Sequence, residues 1–169
     1  SMADMANLAK VERAWRELAT VLDPDQHVTP VTYINSSADL KAFCGRHGGL
    51  VCTSSNAGRV LEWSFRQREK VLFFPDQHLG RNTAYRMGIP PEAMALWDFN
   101  KPRGGLTDAQ IRKAKVILWQ GFCSVHQMFR PEHIDAFRKS HPAGKVISHP
   151  ECSFEVCQKS DHVGSTEFI

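Results

Sequence analysis

The chain has 169 residues, 42% of them hydrophobic and 23% charged, with a formal net charge of +3. That is enough to bury one good core, or one domain and part of another. Basic residues are scattered among acids, and the short cluster "RQREK" (66–70) reads as a solvated helix face, so no nucleic-acid partner is expected. Apolar runs such as "VLFF" and "VILW" have four residues, far too short to span a bilayer, and no stretch reads as a secretory signal.

The five cysteines, Cys44, Cys52, Cys123, Cys152 and Cys157, are odd in number and show no repeated spacing. This pattern predicts a reducing, cytoplasmic setting rather than a disulfide scaffold. The opening "SMADMANLAKVERAWREL" runs straight into helical spacing, and "VGSTEFI" stops where a strand should hand over to a helix. Both ends predict a piece of a larger enzyme, unless Ser-Met is an added residue before a natural start.

In chain order, Leu8, Val11, Trp15, Leu18 and Leu22 have helical spacing, ended by "DPD". "VTYIN" (31–35) predicts a strand, and "SADLKAFCGRH" a helix left through Gly48-Gly49. "LVCT" predicts a strand and "SSNAGRVLEWSFRQ" a helix capped by its serines. "KVLFFPD" is a predicted strand, "QHLGRNTAYRMG" a helix, and "AMALWDF" either a strand or a loop. After the turn-rich "NKPRGGL" come a short capped helix "TDAQIRKA", a strand "KVILWQG" and a helix "RPEHIDAFRKS" with proline near its start. A strand "KVISH", a helix "ECSFEVCQKS" and a last short strand "DHVGS" complete the series.

Alternating helices and doubly apolar strands predict an α/β fold with parallel sheets covered on both sides, in three αβα layers. Ligands in such folds bind beyond the C-terminal strand ends. Those ends carry "YINSS", "CTSSN", "FPDQH", "WQGFCSVH", "SHPEC" and "GST". A weak internal repeat aligns "VTYINSSADLKAF…LVCTSS" with "VISHPECSFEV…HVGST". Each unit has a strand ending in a pair two apart, Tyr33/Asn35 or His149/Glu151, then a helix, then a strand ending in hydroxyls, Ser54 or Thr166. Residues two apart on a strand share a face, so each pair would project into one site.

"VISHPECSFEVC" looks like a metal site, but Cys152 and Cys157 would lie about 140° apart on one helix at roughly 100° per residue, and nothing completes a zinc set. His149 is a loop histidine or an acid–base group. Glu151, predicted in the first turn of the next helix, is a charge suited to the helix dipole or a proton carrier. Ser54 and Thr166 are N-caps that could also hold a carboxylate or phosphate. Tyr33 is core or a substrate contact. Cys123 is a nucleophile with His126, a buried residue, or one ligand of a cluster completed from elsewhere.

The ordered set "SMADMA", "YINSSADLKA", "CTSSNA", "FFPDQHLGRN", "WQGFCSVHQMF", "HPECSFEV" and "GSTEFI" resembles quinolinate synthase over nearly the whole chain. The resemblance implies three similar αβα domains around a pseudo-threefold axis, with residues 1–121 as the middle domain and 122–169 as the beginning of the third. It implies a [4Fe–4S] cluster held by one cysteine per domain, here Cys123, the other two lying outside this chain. It implies condensation of iminoaspartate with dihydroxyacetone phosphate to quinolinate, the imine being supplied by L-aspartate oxidase or aspartate dehydrogenase. By motif, the substrate-contacting positions are Tyr33, Ile34, Asn35, Ser54, His149, Pro150, Glu151 and Thr166, with Glu151, His149 and Tyr33 as catalytic residues. Residues 97–116 look longer than in compact members. With one cluster cysteine of three, the chain alone is expected to be colourless and inactive. The competing reading is a non-catalytic α/β module that binds a phosphate or carboxylate ligand.

Overall fold

The structure, a computed structural model, describes residues 2–169; Ser1, and with it the reading of the opening Ser-Met, lies outside the described residues. Five strands form a parallel sheet in the order β2-β1-β3-β5-β4: β1 (Val28–Tyr33), β2 (Leu50–Cys52), β3 (Lys70–Phe74), β4 (Met94–Trp97) and β5 (Val116–Trp119). Side chains alternate between the two faces. Leu72, Phe74, Ile117 and Trp119 face one buried cluster, while Val71, Phe73, Val116 and Leu118 face the other.

The first cluster is closed by α2 (Leu8–Leu18), α4 (Ala38–Arg46) and α7 (Asp108–Lys113), the second by α5 (Ala57–Gln67) and α6 (Gln77–Arg86). The result is the three-layer α/β arrangement expected from the alternating pattern. The one-turn helices α1 (Met2–Met5) and α3 (Pro24–His27) lie beside it in sequence.

Several boundaries differ from the sequence expectation. β1 begins three residues earlier than "VTYIN" and takes in Pro30. Pairing with β2 starts only at Val31↔Leu50, so Pro30 lies where β1 is still an edge on that side and a proline is tolerated. "AMALWDF" does form an edge strand, β4. Residues 97–116 are a packed cover: Trp97, Phe99, Leu106 and Ile111 join the first cluster, and a Thr107–Gln110 capping box starts α7.

A second, smaller unit follows. It comprises α8 (Pro131–Ser140), β6 (Ile147–Ser148), α9 (Phe154–Lys159) and β7 (His162–Val163), with β6 and β7 parallel. Its own core is Ile134, Cys152, Val156 and Cys157. β1-α4-β2 and β6-α9-β7 are thus both parallel βαβ units, as the internal repeat predicts. α9 starts later than expected because Ser153 is its N-cap. Glu151 and Cys152 therefore precede the helix. Neither the first-turn position for Glu151 nor a shared helix for Cys152 and Cys157 holds.

α6 joins the two units. Gly80 seats it on the sheet, since a Cβ there would stand 2.6 Å from Phe73 Cδ1 and 2.7 Å from Leu118 Cδ2. On the other side of the helix, Tyr85 meets Phe154 edge-on with ring centroids 4.9 Å apart, and Arg86 donates to the Val163 carbonyl at 3.1 Å.

Candidate active site

The first break in adjacency along the sheet lies between β1 and β3, the kind of place beyond whose strand ends ligands bind in parallel sheets. Tyr33 is the last residue of β1, and Asp76 and Gly121 follow β3 and β5. These two strand extensions meet through an isolated parallel bridge, Asp76↔Gly121, and Gln77 N–H donates to the Gly121 carbonyl at 2.9 Å. A Cβ on Gly121 would sit 2.1 Å from the Pro75 carbonyl oxygen, so only glycine allows this approach.

The close crossing presents Cys123. Fully buried Asp76 caps α6, its Oδ1 accepting from His78 N (2.8 Å) and Leu79 N (2.9 Å), while its Oδ2 accepts the Cys123 N–H at 3.2 Å. Burial pushes the Asp76 carboxyl up to about 7, against these N–H bonds and with the charge of Glu151 adding to the rise.

From the second unit, the turn after β6 brings His149 and Glu151, both buried, against Tyr33. Three groups converge on Glu151 Oε2. The Tyr33 hydroxyl donates to it at 3.1 Å, His149 Nδ1 lies 3.3 Å away, and His126 Nδ1 3.9 Å away. The His126 and His149 rings stack with centroids 4.8 Å apart. His149 Nδ1 accepts the Glu151 backbone N–H at 3.2 Å and therefore carries no proton. A proton shared between that nitrogen and Oε2 must come from the Glu151 carboxyl. Burial raises the Glu151 carboxyl above its usual range, opposed by the Tyr33 hydrogen bond. Burial, with His126 beside it, lowers His149 to about 4. Burial first, then the Glu151 charge, raises the Tyr33 phenol, and the Ser54 hydroxyl offsets part of that rise. The arrangement holds a protonated phenol, a neutral imidazole and a carboxyl whose proton is held more tightly than in an exposed acid.

Cys123 Sγ, His126 and Glu151 offer ligand atoms that lie within 4.8 Å of one another. Glu151 Oε1 and His126 Nδ1 are buried without a hydrogen-bond partner. Such orphaned polar atoms mark a place built for something else to fill. Cys123 is half-buried, and the other four cysteines are buried. Burial pushes Cys52 up to about 12 and Cys157 up to about 11, and raises Cys44 and Cys152 as well. Burial thus favours the thiol over the thiolate at those four positions.

The remaining candidate residues are placed less uniformly. Ser54 stands half-buried in the turn before α5, whose N-cap is Asn56 rather than a serine. With Arg59, Arg86, Pro150 and Gly164 it lines a cavity of about 340 Å3. Pro150 is buried. β1 ends at Tyr33, so the two-residue alternation stops there: Ile34 and Asn35 are exposed, and Asn35 does not share the buried position of Tyr33. Thr166 is exposed, in a turn closed by Phe168 N–H to Ser165 O, and caps no helix among the described residues. Two structuring side chains were not singled out from sequence. Asp76 carries a signal, an acid directly before a helix, although the apolar pattern places it at the end of its strand, "KVLFFPD". Asn82, inside α6, carries none.

The family described as NadA, Quinolinate synthetase A protein, matches residues 1–169. The chain belongs to this family. Quinolinate synthases of Rhodopirellula baltica, Nocardioides sp. and Acidobacterium capsulatum are 61%, 56% and 54% identical to it, over 98%, 100% and 100% of this chain. The same alignments cover 42%, 44% and 45% of those proteins, so the chain spans less than half the length of the curated relatives it matches. No described helix is long and apolar enough to cross a membrane.

Proposed function

We propose that the chain is the middle domain (1–121) and the beginning of the third domain (122–169) of a cytoplasmic quinolinate synthase. That enzyme condenses iminoaspartate with dihydroxyacetone phosphate, releasing phosphate and water. The imine comes from an aspartate-oxidising enzyme, L-aspartate oxidase or aspartate dehydrogenase. The observation that carries the reading is the meeting of Tyr33 from one unit with His149 and Glu151 from the next, beside the chain's one half-buried cysteine.

Cys123 is the residue here that would hold the [4Fe–4S] cluster, one corner of it, the other two cysteine ligands lying outside this chain. When bound, such a cluster with one non-cysteine corner supplies a Lewis-acidic iron. Asp76 fixes the backbone of Cys123 from beneath. Glu151 moves protons during imine–enamine interconversion and dehydration, within reach of Tyr33 and His149, and burial raises its carboxyl above the usual carboxylate range. Tyr33 donates to Oε2 and so favours the charged form. Ser54, Ile34, Asn35, Pro150 and Thr166 bind substrate. Ser54 does so at the mouth of the cavity that also holds Arg59 and Arg86, where carboxylates or phosphate would be favoured.

The full-length protein, reconstituted anaerobically with iron and sulfide and given both substrates, is expected to form quinolinate. A protein that carries its cluster and forms none would overturn the proposal.

A further inference from the structure

We propose that Asn82 is a positioning residue that aims Glu151, by gripping with one side-chain amide the two backbone carbonyls that flank it. The inference rests on the reading of Glu151 as the proton-transfer group. Asn82 is 2% exposed and lies in the middle of α6. Its Nδ2 donates to the Pro150 carbonyl at 2.8 Å and to the Cys152 carbonyl at 2.8 Å, and lies 3.2 Å from Cys157 Sγ. An amide nitrogen has two N–H groups, and both are used on either side of residue 151. Only the nitrogen end can face two carbonyl acceptors, so the network fixes the orientation of the amide.

That orientation leaves Asn82 Oδ1 buried without a partner. An orphaned acceptor in the interior is a local cost, and folds keep such costs chiefly at working sites. The gripped turn is also closed on itself, by Cys152 N–H to the His149 carbonyl at 2.9 Å and by Glu151 N–H to His149 Nδ1 at 3.2 Å. With its backbone held at 150 and 152, Glu151 has little freedom except to point at Tyr33.

The same helix holds the cysteine. Asp76, the N-cap of α6, takes the Cys123 N–H, and Asn82 follows six residues later, about 9 Å along the axis. One rigid element therefore sets both Cys123 and Glu151, through separate side chains. Loss of the Asn82 donors should leave Cys123 in place and release Glu151.

The test uses the full-length protein with Asn82→Asp, which keeps the shape but turns an oxygen toward two carbonyls. A displaced but present proton carrier costs rate rather than binding, so kcat is expected to fall about 100-fold with KM within about threefold. The visible absorption and iron content of the cluster should stay unchanged. Backbone amide exchange over residues 151–153 should speed up by about tenfold or more. If Asn82→Asp does not fold, Asn82→Ser, which keeps one donor, is measured in the same way. A kcat within about twofold of the unaltered protein, or loss of the cluster alongside activity, would overturn the proposal. If the unaltered protein forms no quinolinate, the functional reading fails and exchange alone decides the clamp: unchanged protection over 151–153 would overturn it.

Discussion

The Tyr33 hydroxyl meets Glu151 Oε2 at 3.1 Å across 118 positions of sequence. One residue ends a strand of the first parallel sheet and the other follows a strand of the second, so neither unit contains the pair alone. His149 and His126 approach the same oxygen. The site is therefore a seam between two βαβ units, held by α6 across it.

Tyr33 and Glu151 should act as a unit. Glu151→Gln is expected to leave the cluster intact and lower kcat by about 10²–10⁴-fold, the range of general acid–base contributions. Tyr33→Phe removes the donor to Oε2 and should cost less. Because the phenol works through the carboxyl, the double variant should be little slower than Glu151→Gln alone. Steady-state kinetics of the three variants check this, and fully additive losses would show two independent contributions.

His78 should lower folding stability on mild acidification, while the raised Asp76 carboxyl works in the opposite direction. His78 is 9% exposed, and burial, with Arg81 close by, lowers it to about 4 from 6.5. Arg81 Nη1 stands 3.4 Å from His78 Nδ1 and Gln127 Nε2 3.0 Å from His78 Nε2; both neighbours can only donate, so the ring has no acceptor for the extra proton of its charged form. A group whose folded value is depressed binds protons more readily when unfolded. Its contribution is present above pH 6.5 and is lost as the pH falls toward 4. Between pH 7 and pH 5 the loss from this residue should be roughly 2 kcal/mol. Urea titrations of the full-length protein and of His78→Gln at both pH values check this: the change from pH 7 to pH 5 should be less favourable in the unaltered protein by that amount, and an equal change in both would contradict it.

Gly80→Ala tests the seating of α6. The added methyl would stand 2.6 Å from Phe73 and 2.7 Å from Leu118, both buried in the sheet. Overpacking of this kind costs about 1–3 kcal/mol. The helix can relieve it only by lifting, which would move Asp76 and Asn82 together. A lower urea midpoint with a reduced kcat is expected, and a variant with the original midpoint would show that α6 has slack against the sheet.

Much of the architecture was legible from residue pattern. Doubly apolar runs such as "KVLFF" and "KVILW" announce parallel strands covered on both faces, and the two layers of helices follow. The repeat was legible too, because its strand ends and hydroxyls recur at similar spacing. What pattern could not supply was local. Whether Ser54 or Asn56 caps α5, and whether α9 starts at Glu151 or after Ser153, depends on competing caps a few residues apart. The role of Asn82 was illegible because its partners are backbone carbonyls 68 and 70 positions away, and carbonyls leave no mark on residue identity. Asp76 could have been found from its place before a helix. Its grip on Cys123 could not, since that depends on β3 and β5 lying side by side.

The central claim is that Cys123 and the Tyr33–Glu151 pair face one centre while serving different tasks. Anaerobic visible absorption and iron content of full-length Cys123→Ser, set beside Glu151→Gln, test it most directly. The account predicts that Cys123→Ser loses most of the cluster signal while Glu151→Gln keeps it without turning over. A Cys123→Ser protein that assembles a stable cluster and makes quinolinate at the ordinary rate would contradict the account.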